Sequence, residues 1–203
     1  MTASLPKRVL IDANFLVAWL SDTTPSDDRA RIDYLIDRLD KAKSRIIVPM
    51  PAVAEFIAGA DVAGIEAINA LESKSSVVLA SFDLPAAFEC AQLDRAAKGA
   101  GNKKDGSGSP WQKLKVDRQI VAIGKAMGAG LVVSNDSDVR ANALRAGMKA
   151  CSVQELELPD SARQVPMEFE QRPSRAPGKR HQAVRKAKSE VVNDSDRESK
   201  AEG

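Results

Sequence analysis

Histidine and cysteine are nearly missing from this chain of 203 residues, which has one His and two Cys. The single histidine, His181, stands far from the apolar body of the chain, so a His-based zinc site in that body is excluded. Cys90 and Cys151 lie far apart in apolar surroundings (FECAQL, KACSV), with neither zinc-ligand spacing nor a disulfide framework. Both read as reduced core thiols, which fits a cytoplasmic protein. Aromatic residues make up only 4%, which argues against nucleic-acid binding by ranks of stacked rings. No apolar run approaches the roughly 20 residues of a membrane span. The apolar start, MTASLPKRVLIDANFLVAWL, is broken by Asp12 and Asn14, so a buried strand leading into a helix is expected there rather than a signal peptide.

What is present is enough for one α/β body. Hydrophobic residues reach 43%, and short β-branched runs alternate with helical periodicity. Strands are expected at 8–11 (RVLI), 45–48 (RIIV), 76–82, 131–133 and 150–153. Helices are expected at 13–20, after Thr24-Pro25-Ser26-Asp27, at 51–59, 62–72, 85–98, 113–128 and 138–146. Thr24 would cap the second helix, with Pro25 at its first position. Ile32, Leu35, Ile36 and Leu39 follow at i, i+3, i+4, i+7. The alternation predicts a parallel sheet covered on both faces. Residues 99–112 (GAGNKKDGSGSPWQ) read as a flexible loop. The folded domain is expected over 1–159 and a disordered tail over 160–203, where periodic apolar residues stop.

Several carboxylates fall where such sheets bind ligands. Asp12 follows the first strand, and Asp136 and Asp138 follow the fourth; ligands gather at the carboxyl ends of strands. Each has an ordinary alternative, since Asp12 is a good helix cap and Ser134-Asn135-Asp136-Ser137-Asp138 is good turn chemistry. Glu55 sits in an otherwise apolar helical run, where it is either a costly buried acid or a solvent-facing residue. Asp117 shares a helix face with Ile120 and Val121, although Lys115 and Arg118 are close enough in sequence to pair with it. Carboxylates drawn to one point repel unless a cation neutralises them. Oxygen-only ligation suits Mg2+ or Mn2+.

With these positions in order, the chain resembles the PIN-domain family, especially the VapC-like bacterial toxins. The likeness runs over about residues 8–158. It rests on VLIDANFLVAWL, VPMPAVAEFIAG, KVDRQIVAIGKAMGAGLVVSNDSDVR and GMKACSVQELELP. The resemblance implies a PIN-like three-layer sandwich with a central parallel sheet. It also implies an acidic pocket of Asp12, Glu55, Asp117 and Asp136, with Asp138 the rival or additional metal ligand. Asn14 and Ser134 match supporting polar positions. The implied activity is Mg2+- or Mn2+-dependent endonuclease cleavage of RNA, with an antitoxin protein and a second copy of the chain as partners. Leu35 and Leu39 are candidates for the homodimer surface, although core packing explains them as well. Lys113, Lys115 and Arg118 are candidate phosphate contacts. In the tail, the stretch 171–188 is basic and free of acid, and Arg180, Arg185 and Lys186 there are candidate RNA-binding residues. Two rivals remain at this point. One is a haloacid-dehalogenase-type phosphatase, whose second Asp is here Asn14. The other is a PIN-like module that binds RNA or protein without cutting.

Overall fold

A computed structural model describes residues 5–163 except 100, 102 and 105. His181, Arg180, Arg185 and Lys186 lie outside the described residues, as does the rest of the basic stretch. The elements run β1 (Arg8–Ile11), α1 (Ala13–Leu20), α2 (Ser26–Lys41), β2 (Arg45–Pro49), α3 (Met50–Gly59), α4 (Val62–Glu72) and β3 (Val77–Ala80). They continue with α5 (Leu84–Gly99), α6 (Trp111–Ala126), β4 (Leu131–Val133), α7 (Ser137–Arg145), β5 (Lys149–Cys151) and α8 (Asp160–Arg163). The short turn of α8 falls on the first residues assigned from sequence to the tail.

The strands form one sheet in the order β3-β2-β1-β4-β5, and every pairing is parallel. A strand buried on both faces must be apolar there, and β1 is after its exposed first residue, Arg8: Val9, Leu10 and Ile11 have no exposed surface. Successive side chains alternate between two cores. Val9 and Ile11 join Ile46, Val48, Phe15, Ile32, Leu39 and Leu71 on the side of α1, α2 and α4. Leu10 joins Ile47, Ala86, Ile120, Val121 and Ala143 on the side of α5, α6 and α7. The three-layer arrangement expected from the alternation is thus the observed one.

Two details depart from the expected pattern. Thr24 does not cap α2; its hydroxyl donates to the Ala18 carbonyl at 2.7 Å, closing the preceding turn. Pro25 takes the N-cap position instead, and Asp27 and Asp28 in the first turn offset the helix dipole. Leu35 and Leu39 are core residues, 5% and 1% exposed, so they are not available to a dimer surface. Their i, i+4 spacing faces the sheet, where burial is most favourable.

Helices α6 and α7 stop abruptly before β4 and β5. Each ends at a glycine with positive φ, Gly128 and Gly147. In each, the following N–H bonds back to the last turn (Ala129 to the Gly124 carbonyl, Met148 to the Ala143 carbonyl). This keeps the connections short and fixes where β4 begins. Gly124 itself lets α6 lie close on β1, because a Cβ there would overlap the Leu10 side chain. Leu10 is fully buried and has nowhere to go. Gly124→Ala is therefore expected to cost about 1–3 kcal/mol of stability by urea denaturation, despite the better helix propensity of Ala.

Among the described residues, no helix is long and apolar enough to cross a membrane.

Candidate active site

The strand order changes direction beside β1. From β1 the chain builds outward through β2 and β3 on one side, then returns to place β4 and β5 on the other. Such a switch point opens a crevice at the carboxyl ends of the two central strands. Ile11 pairs with Val133, so the next residues, Asp12 and Ser134, meet at the mouth of that crevice.

Asp12 has two jobs at once. One carboxylate oxygen accepts the Phe15 N–H at 2.9 Å and caps α1. The other accepts the Ser134 hydroxyl. Ser134 has no exposed surface, and its oxygen also accepts the Asp136 N–H at 2.9 Å. The hydroxyl thus ties the end of β1 to the start of α7. Asp136 caps α7 in turn, its Oδ1 accepting the Asp138 N–H at 2.8 Å. Capping does not remove Asp12 or Asp136 from the crevice, because a cap uses one carboxylate oxygen and leaves the other.

Asp117 arrives from α6. Leu114, Asp117, Arg118 and Val121 are all buried and form the inward stripe of this helix. Asp117, Asp136 and Asp138 each offer one carboxylate oxygen within 4.8 Å of the others. Lys113, one turn before Asp117, places its ammonium among them. It donates to Asp136 at 2.6 Å and to Asp117 at 2.9 Å, and lies 3.7 Å from Asp138. Asp138 also accepts the Ser109 hydroxyl at 2.6 Å. The structure brings both Asp136 and Asp138 to the cluster that the sequence left open between them.

Electrostatics follow from burial and from this ammonium. Burial pushes the Asp12 carboxyl above its ordinary range; the Ser134 and Phe15 hydrogen bonds oppose this, and the charges of Asp136 and Glu55 add to it. Burial likewise raises Asp117, against the hydrogen bond and charge of Lys113. Asp136 is also penalised by burial, yet the Lys113 ammonium and the N–H groups of α7 hold it below the usual value.

Glu55 is placed differently. It is exposed on α3, and with Asn14 it lines an open groove between α1, α3 and α4. Its charge is felt at Asp12, but among the described residues its carboxylate is not one of the clustered three. The groove keeps α3 from being enclosed, which is why its apolar sequence does not bury it; only Ala52 and Val53 are buried.

One candidate phosphate contact is corrected, and a second is set apart from the carboxylates. Arg118 is 1% exposed, donates to Asp94 at 2.6 Å and to the Lys103 carbonyl at 2.8 Å, and lies over the Trp111 ring. It is a buried structural cation, out of reach of a phosphate. Lys115 is exposed, but two positions from Asp117 on a helix is about 200° around the axis. It therefore faces away from the carboxylates. The 99–112 loop also differs from a purely flexible one. α6 already starts at Trp111, Lys103 covers that ring at 4.1 Å, and Ser109 is bonded to Asp138. Ser109 was not foreseen, because nothing in its glycine-rich surroundings marks it. Lys113 was foreseen only as a phosphate contact, although its i, i+4 relation to Asp117 was legible.

Residues 9–144 match the family described as PIN domain. The chain belongs to the PIN-domain family. Among solved structures, the PIN fold here is similar to VapBC2 from Rickettsia felis bound to a DNA fragment from their promoter. That match has 13% identity, TM-score 0.50, and 71% of this chain against 98% of that one. It is also similar to VapBC-1 from nontypeable Haemophilus influenzae, with 14% identity, TM-score 0.50, and 73% against 99%. At such identities the likeness is one of fold. No curated protein matches the chain.

Within this PIN domain, Ser134 should act through the residues it orients. Ser134→Ala unlatches Asp12 from Asp136 without removing a carboxylate. The expected result is a fall in divalent-ion affinity of roughly 10–100-fold, the usual weight of a residue that orients ligands. It is measured by ion titration of the folded variant.

Proposed function

We propose that this PIN domain is a divalent-metal-dependent endoribonuclease and the toxin of a toxin–antitoxin pair. The observation that carries the catalytic part is the convergence of Asp117, Asp136 and Asp138 next to Asp12 at the switch point of the sheet. The donor set fits a hard cation: oxygens only, close together, with an ammonium already drawn to their centre. Asp117, Asp136 and Asp138 would hold the ion, with Asp12 alongside. A bound Mg2+ or Mn2+ would supply an activated water near neutral pH and offset the charge that develops on a phosphodiester.

The chain's own groups do the rest. Ser134 fixes the direction of the Asp12 carboxylate, and the α7 N–H groups fix Asp136, so little reorganisation is needed when substrate arrives. Glu55, exposed on α3 and near enough for its charge to reach Asp12, would accept a proton or orient water on the solvent side. No Ser, Cys or His nucleophile is needed. The rival phosphatase reading needs a second Asp where Asn14 stands, and the family match gives it no support. RNA as substrate, and an antitoxin and a second copy of the chain as partners, follow the resemblance to VapC-like toxins and the fold shared with VapBC2 and VapBC-1.

The test is incubation of the full chain with structured RNA, with Mg2+ or Mn2+ and with EDTA. Cleavage that stops on chelation is expected. RNA that is bound but never cut, with either ion, would favour the binding-module reading instead.

A further inference from the structure

Lys113 is not placed like an ordinary helix ion pair. An i, i+4 pair on α6 would satisfy Asp117 alone. Here the shorter contact, 2.6 Å, goes to Asp136, 23 residues away in sequence, and Asp138 lies 3.7 Å off. The ammonium therefore sits where the three carboxylate oxygens converge, the point that a divalent ion would need. Ammonium and metal cannot share it: both are drawn by the same oxygens and repel each other at close range.

The lysine is also able to leave. Its side chain is 40% exposed, whereas that of Asp117 is 8% and that of Asp136 18%. Its backbone is anchored next to buried Leu114, so only the flexible four-carbon stem has to swing toward water. The carboxylates, by contrast, are held: Asp136 by the N–H groups of α7, and Asp138 by Ser109. Asp136 and Asp138 therefore keep these bonds when the ammonium swings out, and Asp117 stays buried on α6.

We infer that Lys113 is a tethered counter-cation that competes with a divalent ion for Asp117, Asp136 and Asp138, and so sets how much ion the site requires. This rests on the metal-dependent reading above. The lysine spares the clustered acids from mutual repulsion, and metal binding must first displace it.

The test titrates Mn2+ into the full chain at neutral pH and reads the free ion by electron paramagnetic resonance. It compares wild type, Lys113→Met, Lys113→Gln and, as site control, Asp117→Asn. Both Lys113 variants are expected to bind Mn2+ at least about tenfold more tightly than wild type, the low end of what neighbours of a metal site do. In EDTA their thermal midpoints should fall below wild type, and saturating Mn2+ should close that gap. If one variant does not fold, the other decides. Equal or weaker Mn2+ affinity without the lysine, with binding still lost in Asp117→Asn, overturns the competition and leaves the metal site standing. No Mn2+ uptake by wild type, or uptake that Asp117→Asn leaves unchanged, overturns the metal reading and the inference with it.

Discussion

Asp117→Asn and Asp12→Asn should each reduce metal-dependent RNA cleavage by on the order of a thousandfold, about 4 kcal/mol of transition-state stabilisation. Neither should unfold the domain. Asparagine keeps the size of the side chain and one carbonyl oxygen. At Asp12 that oxygen can still accept the Phe15 N–H that caps α1. What disappears is a negative charge at or beside the point where the proposed reading puts a divalent ion. Stability separates this loss from simple damage. Burial raises the Asp12 carboxyl above its ordinary value of 3.8. A raised acid favours the folded state while it is protonated, and that advantage is lost as pH rises from the unfolded value through the folded one. At neutral pH the full cost of burying the charge is therefore present. Asp12→Asn removes that cost, so in EDTA at neutral pH the variant should be no less stable than wild type. Its relative gain should fade on acidification toward 3.8. Cleavage within tenfold of wild type in both variants, still sensitive to EDTA, would sink the assignment of these carboxylates.

Much of this site was legible along the chain because its parts sit at ends of elements. A short apolar run ending in Asp marks the carboxyl end of a buried strand, and two such ends, at Asp12 and at Ser134–Asp136, were visible without any structure. Helical periodicity put Asp117 on the core side of α6. What no local pattern contains is the strand order. Nothing in RVLI or LVV says that β1 and β4 are neighbours, yet the hydrogen bond from Ser134 to Asp12 spans 122 residues and exists only because they pair. Ser109 is hidden for the same reason, since its partner is 29 positions away.

Two residues show how charge and hydropathy compete. Glu55 stands open between a buried acid and a solvent-facing residue because α3 is apolar nearly all round, and the solvent-facing alternative is the observed one: an apolar helix beside an open groove stays partly exposed, as Ile57 at 38% shows. Arg118 is a candidate phosphate contact on the strength of its type alone. The stripe Leu114, Asp117, Arg118, Val121 at i, i+3, i+4, i+7 already placed it inward, and periodicity was the better guide there.

That buried guanidinium should be the most sensitive point of the fold outside the core. Arg118→Met is expected to cost about 3 kcal/mol in urea denaturation, the low end of the cost of breaking a buried ion pair. The low end applies because Asp94, the partner left behind, is 33% exposed and can rehydrate. Methionine fills much of the volume but offers nothing to Asp94 on α5 or to the Lys103 carbonyl in the loop. Asp94→Ala should cost at least as much, because it strands the more deeply buried charge of the two. The loop gives the change a functional side. Arg118 holds Lys103 and stacks on Trp111, and the same loop carries Ser109, which orients Asp138. Loosening it should blur the position of Asp138, so cleavage should fall modestly in Arg118→Met even where the protein remains fully folded. A variant within 1 kcal/mol of wild type would show that the guanidinium is replaceable filling. The loop would then be anchored mainly by Ser109 and by Lys103 over the indole ring.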